Sequence, residues 1–89
     1  MTLSFPNPSC SFDETKSRVR FWGYDSIIEV SFFVEGDALK KLCPEMSNVE
    51  AGFLKAFDAA RQQIHRVANK VYTRGAKGTY AYILAAKDF

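Results

Sequence analysis

Two segments of the chain alternate apolar and polar side chains with a period of two residues. In Ser17–Tyr24, which reads SRVRFWGY, the apolar residues Val19 and Phe21 alternate with Arg18, Arg20 and Trp22. The segment Ile27–Val34 begins after the two polar residues Asp25 and Ser26 and is rich in β-branched and aromatic side chains. This pattern predicts two antiparallel strands joined as a hairpin.

The same alternation assigns the side chains of the hairpin to two faces, because successive residues of a strand point in opposite directions. The side predicted to be buried carries Val19, Phe21, Ile28, Val30, Phe32 and Val34. The opposite side carries Arg18, Arg20, Trp22, Tyr24 and Phe33, with Glu29 and Ser31 beside them. A role has to be found for arginine and aromatic side chains that are turned away from the core.

The N-terminal part of the chain predicts one further short strand. Leu3 and Phe5 alternate with polar residues, and Pro6 and Pro8 end the pattern because proline cannot donate a hydrogen bond to a sheet. The polar segment Asn7–Lys16 is interpreted as an ordered loop, or as a loop with a brief extended piece.

Two helices are predicted after the hairpin. Asp37 is placed to cap a short helix that runs to Leu42 and is stopped by Pro44. The sequence SNVE at Ser47–Glu50 has the form of a capping box and predicts the start of a long helix.

The long helix is predicted from a single apolar stripe and ends at Gly75. About 25 residues of helix would span roughly 37 Å, enough to cover a sheet. The stripe consists of Val49, Phe53, Phe57, Ala60, Ile64, Val67 and Val71.

A last strand is predicted at Thr79–Ala85, which reads TYAYILA. The resulting order β-β-β-α-α-β predicts an α+β fold, a mostly antiparallel sheet of about four strands with one long and one short helix on one face. The other face then has no cover, and one of the two alternations of the last strand adds Tyr80 and Tyr82 to it.

The composition is that of one ordered globular domain covering residues 1–89. Hydrophobic residues make up 47% and charged residues 25% of the chain, which argues against disorder. No apolar run is long enough to cross a membrane and no secretory signal is recognisable, so a cytoplasmic protein without membrane contact is expected. In that compartment Cys10 and Cys43 are expected to be reduced.

The charges are distributed unevenly along the chain. Residues 1–58 carry six Lys/Arg against nine Asp/Glu, a balance of −3, whereas residues 59–89 carry six against one, a balance of +5. A basic helix end formed by this second part makes nucleic acid or another anion conceivable as a partner. Its residues are Arg61, Arg66, Lys70, Arg74 and Lys77.

Four stretches of the chain resemble a known family. They are RFWGYD at Arg20–Asp25, SFFVEGDAL at Ser31–Leu39, FLKAFDAAR at Phe53–Arg61 and AAKDF at Ala85–Phe89. The resemblance is to the bacterial family called domain of unknown function 1488. It implies a compact single α+β domain of bacterial origin, and it brings no characterised activity and no catalytic residue.

The residues offer little for ordinary enzyme chemistry. Cys10, Cys43 and His65 lack the paired spacings of a zinc site, and no glycine-rich phosphate-binding motif occurs, so neither a metal nor a cofactor is expected. Cys43 and His65 with Asp58 could form a nucleophile and its base, but an inert core thiol is the more common role of such a cysteine.

Besides a small-molecule or catalytic use, three roles are open for the uncovered face. It is expected to serve a non-catalytic protein-interaction or self-association module, for example a homodimer. The alternative is binding of single-stranded nucleic acid, with bases stacked on the aromatic side chains and phosphates along the basic helix end. The third is cross-strand stabilisation of the hairpin with no ligand.

Overall fold

A computed structural model of the chain describes residues 3–5, 10–74 and 81–89. In these ranges the chain forms four strands, three α-helices and a final 3₁₀ turn. The strands are β1 (Cys10–Asp13), β2 (Arg18–Asp25), β3 (Ile28–Glu35) and β4 (Ala81–Leu84), the helices are α1 (Gly36–Leu42), α2 (Glu50–Ala59) and α3 (Arg61–Arg74), and the turn is Ala86–Asp88. The predicted α+β class and strand number are confirmed.

The sheet is mixed, which corrects the expectation of a mostly antiparallel one. Its strand order is β1-β2-β3-β4, with antiparallel pairing of β1 with β2 and of β2 with β3. The pairing of β3 with β4 is parallel. All three helices lie between β3 and β4 in the chain, and such a crossover returns the next strand in the same direction.

The central hairpin forms as predicted, with its turn one residue later. Asp25 pairs with Ile28, so the turn is Ser26–Ile27, and Ser26 takes a positive φ of 61°. Ile27 is consequently 93% exposed and Ile28, predicted to be buried, is 63% exposed. Asp25 is the last residue of β2, and its carboxylate accepts a hydrogen bond from the Tyr72 hydroxyl at 2.6 Å.

The first full strand lies in the segment that was interpreted mainly as a loop. Cys10–Asp13 pairs with β2 along four residues, and the turn that joins them ends at Ser17, whose φ is 50°. Ser4 forms only an isolated bridge with Tyr24, through backbone hydrogen bonds of 2.9 and 2.8 Å. The predicted strand around Leu3 and Phe5 is therefore reduced to one bridge.

The predicted long helix is two helices that meet at Ala60. This residue has φ −107° and ψ 16°, which ends α2 and redirects the chain into α3. The buried positions of α3 are Ile64, Ala68 and Tyr72, while Val67 and Val71 of the predicted stripe are only partly buried. After the change of direction, the small Ala68 and the hydrogen-bonded Tyr72 turn toward the sheet.

Neither predicted helix cap forms. The residue before α2 is Val49, which is 59% exposed, and no side chain caps the helix. The backbone of Ser47 instead folds onto the first turn, where a Cβ atom on Gly52 would clash with the Ser47 carbonyl oxygen. Asp37 is not a cap either, because α1 begins at Gly36 and Asp37 lies within its first turn.

The core lies between the helices and one side of the sheet. The rings of Phe21 and Phe32 stack with 5.2 Å between their centres, and the ring centre of Phe57 on α2 lies 5.1 Å from that of Phe21. The other buried strand residues are Val19, Val30, Val34, Tyr82 and Leu84, and the buried helix residues are Ala38, Leu39, Phe53, Ala56, Ile64, Ala68 and Tyr72. The described helices therefore cover a single side of the sheet.

Candidate functional site

The opposite side of the sheet carries the arginine and aromatic residues that the sequence singled out. Arg18, Arg20, Trp22 and Tyr24 alternate along β2 with buried positions, and Phe33 lies directly across from Arg20 on β3. None of the described helices packs on this side. The structure thus brings these five residues together on what we call the open face, together with Ile83 of β4.

Arg18 is fixed on the open face by two neighbours. Its Nε donates to the Asp13 carboxylate at 2.9 Å, and its guanidinium carbon lies 3.7 Å from the centre of the Phe33 ring. The hydrogen bond from Arg18 lowers the pKa of Asp13 below its usual 3.8. The result is an ion pair and a cation–π contact that share one guanidinium.

Arg20 is held in the middle of the open face. Its guanidinium carbon lies 5.1 Å from the centre of the Trp22 ring, and its Nη2 donates to the Ser31 hydroxyl at 3.2 Å. The Nε atom is buried and has no hydrogen-bond partner within the described ranges. Packing against Trp22 and the bond to Ser31 therefore hold this side chain in place.

Tyr24 marks the hairpin end of the face. Its hydroxyl donates to the carboxylate of Glu29, its partner across the strands, at 3.2 Å. That hydrogen bond to a negative group raises the pKa of Tyr24 above its usual 10. Glu29 and Tyr24 thus add a polar rim to the aromatic centre.

The contribution of β4 to the face differs from the prediction. Tyr82 pairs with Phe32, is only 6% exposed, and packs its ring 5.6 Å from Phe32 on the helix side of the sheet. Its assignment to the uncovered face is wrong, and Tyr80 lies outside the described residues. Ile83, across from Phe33 and 41% exposed, takes this position instead. Sequence alone could not separate the two alternations, because Tyr82, Ile83 and Leu84 are all apolar.

The basic helix end lies on the other side of the molecule. Arg66, Lys70 and Arg74 are exposed on α3, whose opposite side packs toward the sheet. Arg61 donates to Asp58 at 2.8 Å and lies 5.0 Å from the Phe57 ring, so it is engaged within the helices. Lys77 lies outside the described residues. The structure therefore does not join the basic helix end to the open face.

The residues considered for nucleophilic catalysis have separate neighbours. The Cys43 thiol faces the carbonyl of Ala56 at 3.8 Å. The His65 ring stacks on Phe5 with 4.0 Å between ring centres, and burial, followed by the charge of Arg61, lowers its pKa. Burial likewise raises the pKa of the Cys10 thiol, which disfavours the reactive thiolate. Both cysteines are free thiols.

Two features are absent from the described part of the chain. No group of three or more His, Cys, Asp or Glu side chains there is arranged to hold a metal ion. No helix in the same ranges combines the length and the apolar character that crossing a membrane requires.

Comparison with known proteins places the chain in one family. No curated protein and no solved structure gives a significant match. A family model described as a protein of unknown function, DUF1488, matches residues 3–84, which is most of the chain. Three of the four stretches that carried the resemblance lie within the match, on β2, on β3 with α1, and on α2, whereas Ala85–Phe89 lies beyond it at the final turn. The chain belongs to the DUF1488 family.

Proposed function

We propose that the protein is a non-catalytic protein-interaction module that self-associates through the open face. One observation carries the proposal: the half-buried Trp22 and Phe33 and the exposed Ile83 share the side of the sheet that no described helix covers. Tryptophan and arginine are the residues that most often dominate the energy of protein interfaces. An apolar patch on a small protein commonly marks a contact surface.

The layout of the face resembles an interface with an apolar centre and a polar rim. Trp22, Phe33 and Ile83 form the centre. Charged residues lie at both ends of the two long strands: Asp13, Arg18 and Glu35 at one end and Glu29 at the other. Phe33 and Trp22 already lie against the guanidinium groups of Arg18 and Arg20 before binding, which lowers the entropy that association costs.

The charge of the face favours a protein over a nucleic acid. Two arginines, Arg18 and Arg20, are opposed by three carboxylates, those of Asp13, Glu29 and Glu35, which leaves a balance of −1. A strand of phosphates needs a cationic surface. The guanidinium of Arg18 also already lies against the Phe33 ring, where a base would have to stack.

A second copy of the chain fits this surface. The face is close to neutral, so two copies can approach without strong repulsion, and each offers both signs of charge at its rim. From strand lengths and spacing, the face covers roughly 400 Å², about half of the area that a standard interface buries on each partner. We therefore expect a reversible dimer that dissociates on dilution.

Sedimentation equilibrium over a range of protein concentrations tests the proposal. The mass of the wild type should rise from 10.1 kDa toward twice that value. Trp22→Ala and Arg20→Glu should keep the chain monomeric while the helical circular dichroism stays unchanged. Val49→Ala removes an exposed apolar side chain just before α2, away from the face, and should dimerise like the wild type. A wild type that stays at 10.1 kDa, or an equal loss in Val49→Ala, would contradict self-association.

Single-stranded nucleic acid remains the alternative occupant of the face. The observation in its favour is that the indole of Trp22 lies beside the Arg20 guanidinium on the open face of the sheet. It predicts that an oligothymidylate quenches the fluorescence of Trp22 at low salt and that added salt reverses the quenching. Unchanged fluorescence in the monomeric concentration range would remove this alternative.

A further inference from the structure

The outer surface of α3 carries charge of only one sign. The helix, RQQIHRVANKVYTR, contains no Asp or Glu. Arg66, Lys70 and Arg74 follow one another at intervals of four residues, are exposed, and make no ion pair within the described ranges. We call these three residues the cationic ridge, which spans about 12 Å along the helix axis. Like charges at this spacing oppose helix formation, so the ridge is unfavourable for the isolated chain.

A groove with an apolar floor runs beside the ridge. It has a volume of about 310 Å³ and lies between α3 and the end of the chain. It is lined by Gln63, Arg66, Val67, Lys70, Asp88 and Phe89. Val67 and Phe89 are partly buried and supply the apolar surface, while Arg66 and Lys70 stand at the edge.

The far wall of the groove is held in place by hydrogen bonds. Lys41 of α1 donates to the backbone oxygens of Phe89 at 2.7 Å and of Ala86 at 3.2 Å. The carboxylate of Asp88, the single acid in the groove, accepts from the backbone N–H of Ala85 at 2.8 Å. Asp88 is therefore bonded inside its own turn, and within the described ranges it forms no ion pair with Arg66 or Lys70.

We infer that the cationic ridge and this groove bind an acidic segment of another protein, with one of its apolar side chains in the groove. Carboxylates of the segment would neutralise the ridge, and Val67 with Phe89 would receive the apolar side chain. The apolar floor is what favours a peptide, since phosphates alone would need only the charges. This site lies on the helix side of the sheet and does not depend on the open face.

Fluorescence anisotropy with synthetic probes tests the inference. The first probe is a labelled octapeptide of six glutamates and two leucines, the second has serines in place of the leucines, and the third is an oligothymidylate of eight nucleotides. The leucine peptide should bind saturably at low salt, weaken as salt is added, and bind at least about fivefold tighter than the serine peptide.

Charge reversal locates the site. Arg66→Glu and Lys70→Glu should each raise the Kd of the leucine peptide about tenfold, because each change replaces an attraction by a repulsion. Arg66→Glu also puts a carboxylate four residues before Lys70, a favourable helix pair, so this variant should fold at least as well as the wild type. Lys55→Glu, a reversal of an exposed lysine on α2, is the matched control and should change the Kd less than about twofold.

Several results would overturn the inference. These are the absence of saturable binding by the leucine peptide, equal weakening by Lys55→Glu, equal affinity for the serine peptide, and tighter binding of the oligothymidylate. Trp22→Ala should leave peptide binding unchanged, so failure of this site and failure of self-association are distinguishable.

Discussion

The guanidinium carbon of Arg18 lies 3.7 Å from the centre of the Phe33 ring on the neighbouring strand. The two residues are diagonal neighbours, since Arg18 pairs with Glu35 and Phe33 pairs with Arg20. The Nε atom of the same guanidinium lies 2.9 Å from the carboxylate of Asp13 on a third strand, β1. Three strands are thus tied together on the open face by one side chain, and the aromatic centre of that face is ordered without a partner.

Asp13→Asn should make the protein less stable at neutral pH and less sensitive to acid. The pKa of Asp13 is lowered in the folded state by its hydrogen bond to Arg18. A lowered pKa means that the stabilisation is present above the usual value of 3.8 and is lost as pH falls below it toward the folded value. The difference in Tm between the wild type and the variant should therefore be largest at neutral pH and should shrink as the pH falls below 3.8.

The control for this prediction is Asp37→Asn, a change of an exposed carboxylate in the first turn of α1. It should leave the difference in Tm between neutral and acidic solution close to that of the wild type. If Asp13→Asn and the wild type lose stability in parallel across the acidic range, the ion pair does not contribute as described.

Tyr72→Phe should lower Tm by several degrees at neutral pH. The Tyr72 hydroxyl donates to Asp25 at 2.6 Å and links α3 to the end of β2. This bond raises the pKa of Tyr72 to about 12. Because the pKa is raised, the hydrogen bond stabilises the folded state fully below pH 10, and this stabilisation is lost as pH rises through 12. The difference in Tm between the wild type and Tyr72→Phe should therefore shrink in alkaline solution.

Tyr24→Phe is the matched comparison, because its hydroxyl bond to Glu29 is exposed whereas that of Tyr72 is partly buried. Its effect on Tm should be clearly smaller. Equal losses in the two variants would mean that the link between Tyr72 and Asp25 adds nothing beyond a surface hydrogen bond.

Gly23→Ala should destabilise the protein by about 1–3 kcal/mol, the usual cost of overpacking. A Cβ atom at this position would lie 2.6 Å from Cε1 of Phe5, so the Phe5 ring has to move. That ring also stacks on His65 and cannot move without losing this contact. Denaturant unfolding measures the difference.

A double-mutant cycle with Phe5→Ala identifies the cause. In the Phe5→Ala background the ring is gone, and Gly23→Ala should cost less than half of its effect in the wild type. Additive effects would show that the glycine is needed for a reason other than room for Phe5.

The central hairpin was readable from the sequence because its signal is local. Period-two alternation fixes which side chains share a face. It therefore places Arg18, Arg20, Trp22 and Phe33 on one face without any knowledge of the rest of the fold. The last strand was different. Tyr82, Ile83 and Leu84 are all apolar, so only the pairing with β3 decides that Tyr82 faces the helices and Ile83 the open face.

The helices show where tertiary contacts override a local pattern. The spacing from Phe53 to Val71 fits one straight helix, but the chain bends at Ala60 and buries Ala68 and Tyr72 in place of Val67 and Val71. The bond from Tyr72 to Asp25 joins residues 47 positions apart. The capping box at Ser47 fails for a local reason, since the Ser47 backbone packs against Gly52 in the first turn of α2.

Acrylamide quenching of the fluorescence of Trp22, the only tryptophan, tests the central claim most directly. If the open face is uncovered in the monomer and covered by a second copy, quenching should be efficient at low micromolar protein and should fall as the concentration approaches millimolar. Val49→Ala should behave in the same way. Equal quenching at both concentrations, or an indole already protected in the most dilute sample, would contradict a docking surface centred on Trp22.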